Sequence, residues 1–238
     1  MPEGKRHWLR WLIGAIVVLV VAGVAGPFIY IHFVEGSAPA PFRLHPAAGA
    51  SKGSGTPSTS SDSGSVAGTW TIASGSQAGY RVQEVLFGQQ HTAVGRSSDV
   101  TGHLTIAGTS VTAATFTVQM DTIKSDSSER DAQFNGRIMD TATYPTGTFT
   151  LTSPISLASL PATGVVRSYT AHGTRALHGN SRPVKFTLSA ERTASGIEVS
   201  GSIPVAFATW DIPNPSFASV VTTQNHGLLE FLLTLRKS

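Results

Sequence analysis

The chain has no cysteine. That absence removes thiolate nucleophiles, thiolate metal sites and a disulfide framework together, although it does not fix the compartment. Charge is also scarce: 13% of the 238 residues are charged, and 17 basic against 14 acidic residues leave a formal +3. Lys5, Arg6, Arg10, Arg43 and Lys52 precede Gly68 with only Glu3, Glu35 and Asp62 to balance them, so this segment alone carries most of the excess. Beyond Gly68 the arginines are scattered, with no basic stripe interleaved with aromatics, and nucleic acid is excluded as a partner. The same stretch has no Gly-x-Ser-x-Gly elbow to support a serine hydrolase. His91, His103, His172, His178 and His226 show no short ligand spacing, which excludes a metal site built on one strand.

Long apolar runs are missing too, except for one. From Trp11 to Ile31 no charge appears, and Phe33 extends the run. As a helix it matches the ~30 Å hydrocarbon core of a bilayer. Lys5, Arg6 and Arg10 precede it and only Glu35 follows closely, which predicts a cytoplasmic N-terminus. A cleaved signal peptide is the competing reading, with Gly23-Val24-Ala25 as a small-residue processing site. The continuation through Phe28, Ile29, Tyr30 and Ile31 favours a retained anchor, and either reading exports the rest of the chain. The expected organisation is a cytoplasmic basic tail over 1–10, a transmembrane signal anchor over 11–33, a disordered linker over 34–67 and one extracytoplasmic domain over 68–238. The cell membrane is the expected location, crossed once. The linker expectation rests on its Ser, Gly, Pro and Thr, which bury too little apolar surface to offset the entropy of ordering.

The domain alternates with period two, the signature of strands with one buried face. Val184, Phe186, Leu188 and Ala190 share a face, as do Ile197, Val199, Gly201, Ile203 and Val205, and Leu229, Phe231, Leu233 and Leu235. Val100, Gly102, Leu104 and Ile106 face away from His103. Short turns such as Ala107-Gly108 and Ser195-Gly196 join them. Ser125 to Asp140 breaks the rhythm: its capping residues precede Phe134, Ile138 and Met139, which fall on one helical face. The fold class is all-β, an antiparallel barrel of roughly eight strands with a short helical insertion over one end.

Several short stretches in order carry a resemblance: Gly68-Thr69-Trp70-Thr71-Ile72, Tyr80-Arg81-Val82 through Glu84, Ala93-Val94-Gly95, Val100-Thr101-Gly102, Arg130-Asp131, Tyr144-Pro145, Leu177-His178-Gly179, Arg182-Pro183-Val184 and Leu229-Glu230-Phe231. Together they resemble the YceI-like family of bacterial, lipocalin-like, polyisoprenoid-binding barrels. The resemblance implies an apolar interior that holds an isoprenoid or similar amphiphilic lipid, with no catalytic residues and no cofactor. The N-terminal anchor departs from secreted members and places the barrel beside the membrane. A homodimer is also allowed.

Core packing and ligand lining use the same residue types, and both readings stay open for the inward aromatics. The lining candidates are Tyr80, Phe116, Phe134, Phe149, Phe186, Trp210 and Phe231, with any polar head of the ligand left near the barrel mouth. Arg130 and Asp131 have two roles open, helix capping and ion pairing or contact with a head group. Two rival functions remain: a surface-displayed interaction or stress-response module with a packed barrel, and an enzyme acting on a bound lipid.

Overall fold

The inward faces read from the alternation close on one another in the computed structural model, which describes residues 11, 13–16, 18–19, 38–44, 65–86, 88–158, 162–217 and 221–238. The antiparallel ladder runs through β1 (Gly68–Ile72), β4 (Val100–Ala107), β5 (Ser110–Gln119), β6 (Thr146–Leu151), β8 (Arg167–Leu177), β9 (Asn180–Arg192), β10 (Ile197–Ala206) and β12 (His226–Lys237). β12 pairs back onto β1 and closes the ring of eight. Closure leaves no ladder edge along the ring, which a lone sheet of this length would expose. The short β7 (Ile155–Ser156) pairs with the start of β5.

Two positions of the ring are each shared by two strands. β2 (Gln77–Leu86) continues the line of β1, and β3 (Gln89–Ser97) leads into β4. β12 changes partner accordingly: Leu228 to Leu232 pair with β2, and Leu235 to Lys237 pair with β1. Ser76, only 2% exposed, stitches the interruption. Its hydroxyl lies 2.9 Å from the Ala73 carbonyl oxygen and accepts the Thr234 N–H at 2.9 Å, so the backbone groups freed by the break stay paired.

The β2–β3 hairpin projects past the main ring. β11 (Val221–Thr223) covers one flank of β2, and the helical insertion faces the hairpin. The insertion is α1 (Ser128–Gln133) followed by one π-helical turn over Phe134–Ile138. Ser127 caps α1 by accepting the Arg130 N–H, with Glu129 and Asp131 in the first turn where the helix dipole favours acids. The expected helical face is present: Phe134 and Met139 are buried and Ile138 packs beside them. At the opposite end the core is tighter, around Trp70, Leu104, Leu233 and the fully buried Leu235.

The expected linker contains two seated stretches: Val66 is buried in the core and its carbonyl accepts the Trp70 indole N–H at 2.8 Å, and a second stretch docks outside. Residues 38–44 lie on the outer wall, where Arg81 donates to the Pro39 carbonyl at 2.6 Å and Arg96 donates to the Ala40 carbonyl. The Arg96 guanidinium also stacks 3.9 Å from the Phe42 ring centroid, and Leu44 is buried. Beneath this strap Arg81 pairs with Glu230 at 2.8 Å. Of the expected membrane-crossing run, residues 11, 13–16 and 18–19 are described; they are helical with exposed side chains. Among the described residues no helix is long and apolar enough to cross a membrane. The rest of that run, and residues 34–37 and 45–64 of the linker, lie outside the described residues.

Candidate functional site

The barrel interior is hollow along its axis. A chamber of about 720 Å³ lies under the helical insertion, between the β2–β3 hairpin and the ends of β8, β10 and β12. A second of about 130 Å³ follows it inward and shares Met120, Ile123, Leu177 and Leu229 with the first. A third of about 100 Å³ lies at the far end and shares Phe116, Phe149, Leu188 and Val199 with the second. The chambers therefore form one line, wide at the mouth and narrow inside. The first alone falls within the size range of small-molecule sites.

Glycines keep this space open. The interior aromatics lie flat over glycines of neighbouring strands, which lets rings hug the wall and vacate the axis. A Cβ on Gly95 would stand 2.8 Å from Tyr80 Cζ and 2.9 Å from Ile123 Cγ2. One on Gly201 would stand 2.7 Å from Phe231 Cζ, and one on Gly102 would stand 2.8 Å from Phe116 Cδ1. Gly173 does the same beneath Phe149. The rings also brace each other: Phe186 meets Phe149 edge-on at 5.3 Å and Phe231 at 6.0 Å, while Tyr80 stacks on Phe134 at 5.1 Å.

A polar cluster sits at the mouth. Glu84 lies at an inward position of β2, between Val82 and Leu86. Its Oε1 is 2.9 Å from His91 Nδ1 and 3.2 Å from Arg130 Nη2. Arg130 also pairs with Asp126, so the arginine ties the helical insertion to the hairpin. Burial would push the Glu84 carboxyl up, but the His91 hydrogen bond and the Arg130 charge outweigh it and hold the group below its ordinary value. Burial pushes the neighbouring Tyr80 phenol up, keeping it neutral. A depressed carboxyl pKa contributes stability above the ordinary carboxylate range and loses it as pH falls through the folded value. Glu84→Gln is therefore expected to cost about 1–3 kcal/mol at pH 7, the range for removing one partner of a buried charged hydrogen bond. In thermal melts the gap from the wild type should narrow as pH falls below about 4 and close once the folded Glu84 carboxyl is protonated.

The candidate residues divide along the axis. Tyr80 and Phe134 line the first chamber, Phe186 and Phe231 the second, and Phe116 and Phe149 both the second and the third. Trp210 is the exception. It lies on a 3-10 turn over Phe207–Trp210, buried in the same core cluster as Val82, Met120 and Leu177, and lines none of the three chambers. His178 and Asn180 hold its carbonyl, at 3.1 and 3.2 Å, and its ring packs 3.9 Å from the guanidinium carbon of Arg175. Arg175 was not among the candidates, yet it occupies an inward position of β8 and borders the second chamber. Glu84 was missed as a site residue too, although its alternation with Val82 and Leu86 places it inward. Among the described residues no group of three or more His, Asp or Glu side chains is arranged to hold a metal ion.

The profile of the YceI-like domain family matches residues 70–233. Among solved structures, the fold is similar to a polyisoprenoid binding domain from Saccharophagus degradans implicated in plant cell wall breakdown. The two are 19% identical, with 71% of this chain and 98% of that one covered and a TM-score of 0.58. It is also similar to BcnA of Burkholderia cenocepacia at 17% identity, covering 65% and 95% with a TM-score of 0.50. No curated protein matches the chain.

Proposed function

The chain belongs to the YceI-like family, and from that premise we propose that it is a binding protein which sequesters or carries a long apolar lipid, such as a polyisoprenoid, in its barrel. The observation that carries this reading is the row of three adjoining chambers, lined mainly by aliphatic and aromatic side chains. Each CH2 moved from water into such a lining contributes about 0.8 kcal/mol, so a long hydrocarbon needs little else to bind. The polyisoprenoid binding of a similarly folded domain supports the same ligand class. Open space along the axis disfavours a fully packed barrel, and the mouth charges of Glu84, Arg130 and Asp126 pair with one another rather than with a vacant reaction centre.

The apolar run from Trp11 to Phe33, with its basic flank, supports a barrel tethered at the outer face of the cytoplasmic membrane. A tether raises the local concentration of a site near a membrane-derived ligand without any new contact. Solvent extraction of the protein purified from its own membranes, read by mass spectrometry, is expected to release one long-chain lipid per chain. Recovery of no lipid, together with no saturable uptake of added long-chain isoprenoid, would overturn the proposal.

A further inference from the structure

Arg175 is 3% exposed, inside an otherwise apolar stretch of barrel. Its neighbours on the inward face of β8 are Ala171, Gly173 and Leu177. Nε and Nη1 are both buried without a hydrogen-bond partner, and no carboxylate among the described residues pairs with it. The guanidinium instead packs on the face of Trp210. A cation–π contact offsets only about 2 kcal/mol even when desolvated, against several for an unpaired buried cation. Burial pushes the guanidinium down to about 10, so it remains charged at neutral pH. The barrel therefore holds an unpaired positive charge in the wall of a chamber of about 130 Å³ whose surface is otherwise apolar.

Among the described residues the mouth offers no equivalent. Arg130 is engaged by Glu84 and Asp126, and Arg137 donates to the carbonyls of Asn214 and Pro215 at 3.2 and 3.1 Å. The interior chamber fits a small head group, since a water molecule takes about 30 Å³ in the liquid. It adjoins the chamber of about 720 Å³, which can take a chain, with Leu177 and Leu229 lining both. We propose that Arg175 receives the carboxylate of a long-chain acid, which sits head inward in the second chamber with its tail running back toward the mouth. This rests on the lipid-binding reading and reverses the expectation that the head stays at the mouth. The ligand's charge neutralises the guanidinium, and charge-assisted hydrogen bonds satisfy the two orphaned donors.

The test is native mass spectrometry of the full chain released from detergent micelles holding an equimolar mixture of a C18 carboxylic acid and its methyl ester. The wild type is expected to carry the acid at least tenfold over the ester. Arg175→Met, similar in length and apolar, should lose that preference while still taking up the ester; Arg175→Lys should keep part of it. Comparing ratios between variants cancels the different partitioning of acid and ester into the micelle. Equal acid and ester adducts on the wild type, or an acid preference that survives Arg175→Met, would overturn the role of Arg175 and leave the barrel a lipid binder. Failure to carry either compound would overturn both.

Discussion

Gly173→Val is expected to destabilise the barrel by about 4 kcal/mol, beyond the usual range for overpacking. A Cβ at this position meets the Phe149 ring and stands 2.5 Å from the Thr150 carbonyl oxygen. A free ring could swing aside, but this one is held edge-on against Phe186. The carbonyl belongs to the β6–β8 ladder, where Leu151 pairs with Gly173 and Thr150 with Thr174. Relief therefore requires a local break in a closed ring, in which displacement of one strand disturbs both neighbours. In a domain of this size the melting temperature should fall by about 10 °C. Gly136→Ala is the control: nothing lies within 4 Å of the added carbon and its φ is not in the left-handed region, so its melt should match the wild type closely. Equal effects at the two positions would show that the glycine beneath Phe149 is incidental.

That glycine pattern marks where the sequence was readable and where it was not. Period-two alternation was enough to assign the inward faces of β9, β10 and β12, because the large apolar side chains recur at every second position and outweigh the few, such as Leu228 and Leu232, on the other face. The helical insertion was readable from Ser127 and the spacing of Phe134, Ile138 and Met139. The interruption at Ser76 was not, because it depends on β12 exchanging β2 for β1, a fact of long-range register. Arg175 was hidden for a related reason. β8 presents Ala171, Gly173 and Arg175 inward and His172 and Thr174 outward, so its hydrophobic contrast is too weak to orient it. An arginine there reads by default as solvated. Trp210 is buried in the core, but an indole on a 3-10 turn joining two strands has no strand face, so alternation does not say whether it meets a chamber or packs on a neighbour such as Arg175. The outer seated stretch of the linker rests on Phe42 and Leu44, two apolar residues in a polar and proline-rich stretch, whose docking partners Arg81 and Arg96 lie on the barrel's outer face.

Open space in the barrel separates two effects that coincide in most cores, and Leu229→Trp exploits this. Leu229 lies on β12 opposite Ile203 on one side and Tyr80 on the other, and lines both the first and the second chamber. A larger side chain in a packed core would strain its neighbours, but here an indole can extend into a chamber of about 720 Å³. Stability is therefore expected to stay within about 1 kcal/mol of the wild type, as for substitutions that force no repacking. Occupancy should not survive. The indole stands where a chain must pass to bring its end into the second chamber, and displaces part of the apolar lining that drives binding. Lipid recovered per mole of protein is expected to fall at least tenfold, measured on the same preparation whose thermal melt shows an intact fold. Arg175→Met makes a different change: it alters which head group is preferred and leaves the hydrocarbon path open. A stable Leu229→Trp protein that still carries a full complement of lipid would place the ligand outside the barrel axis.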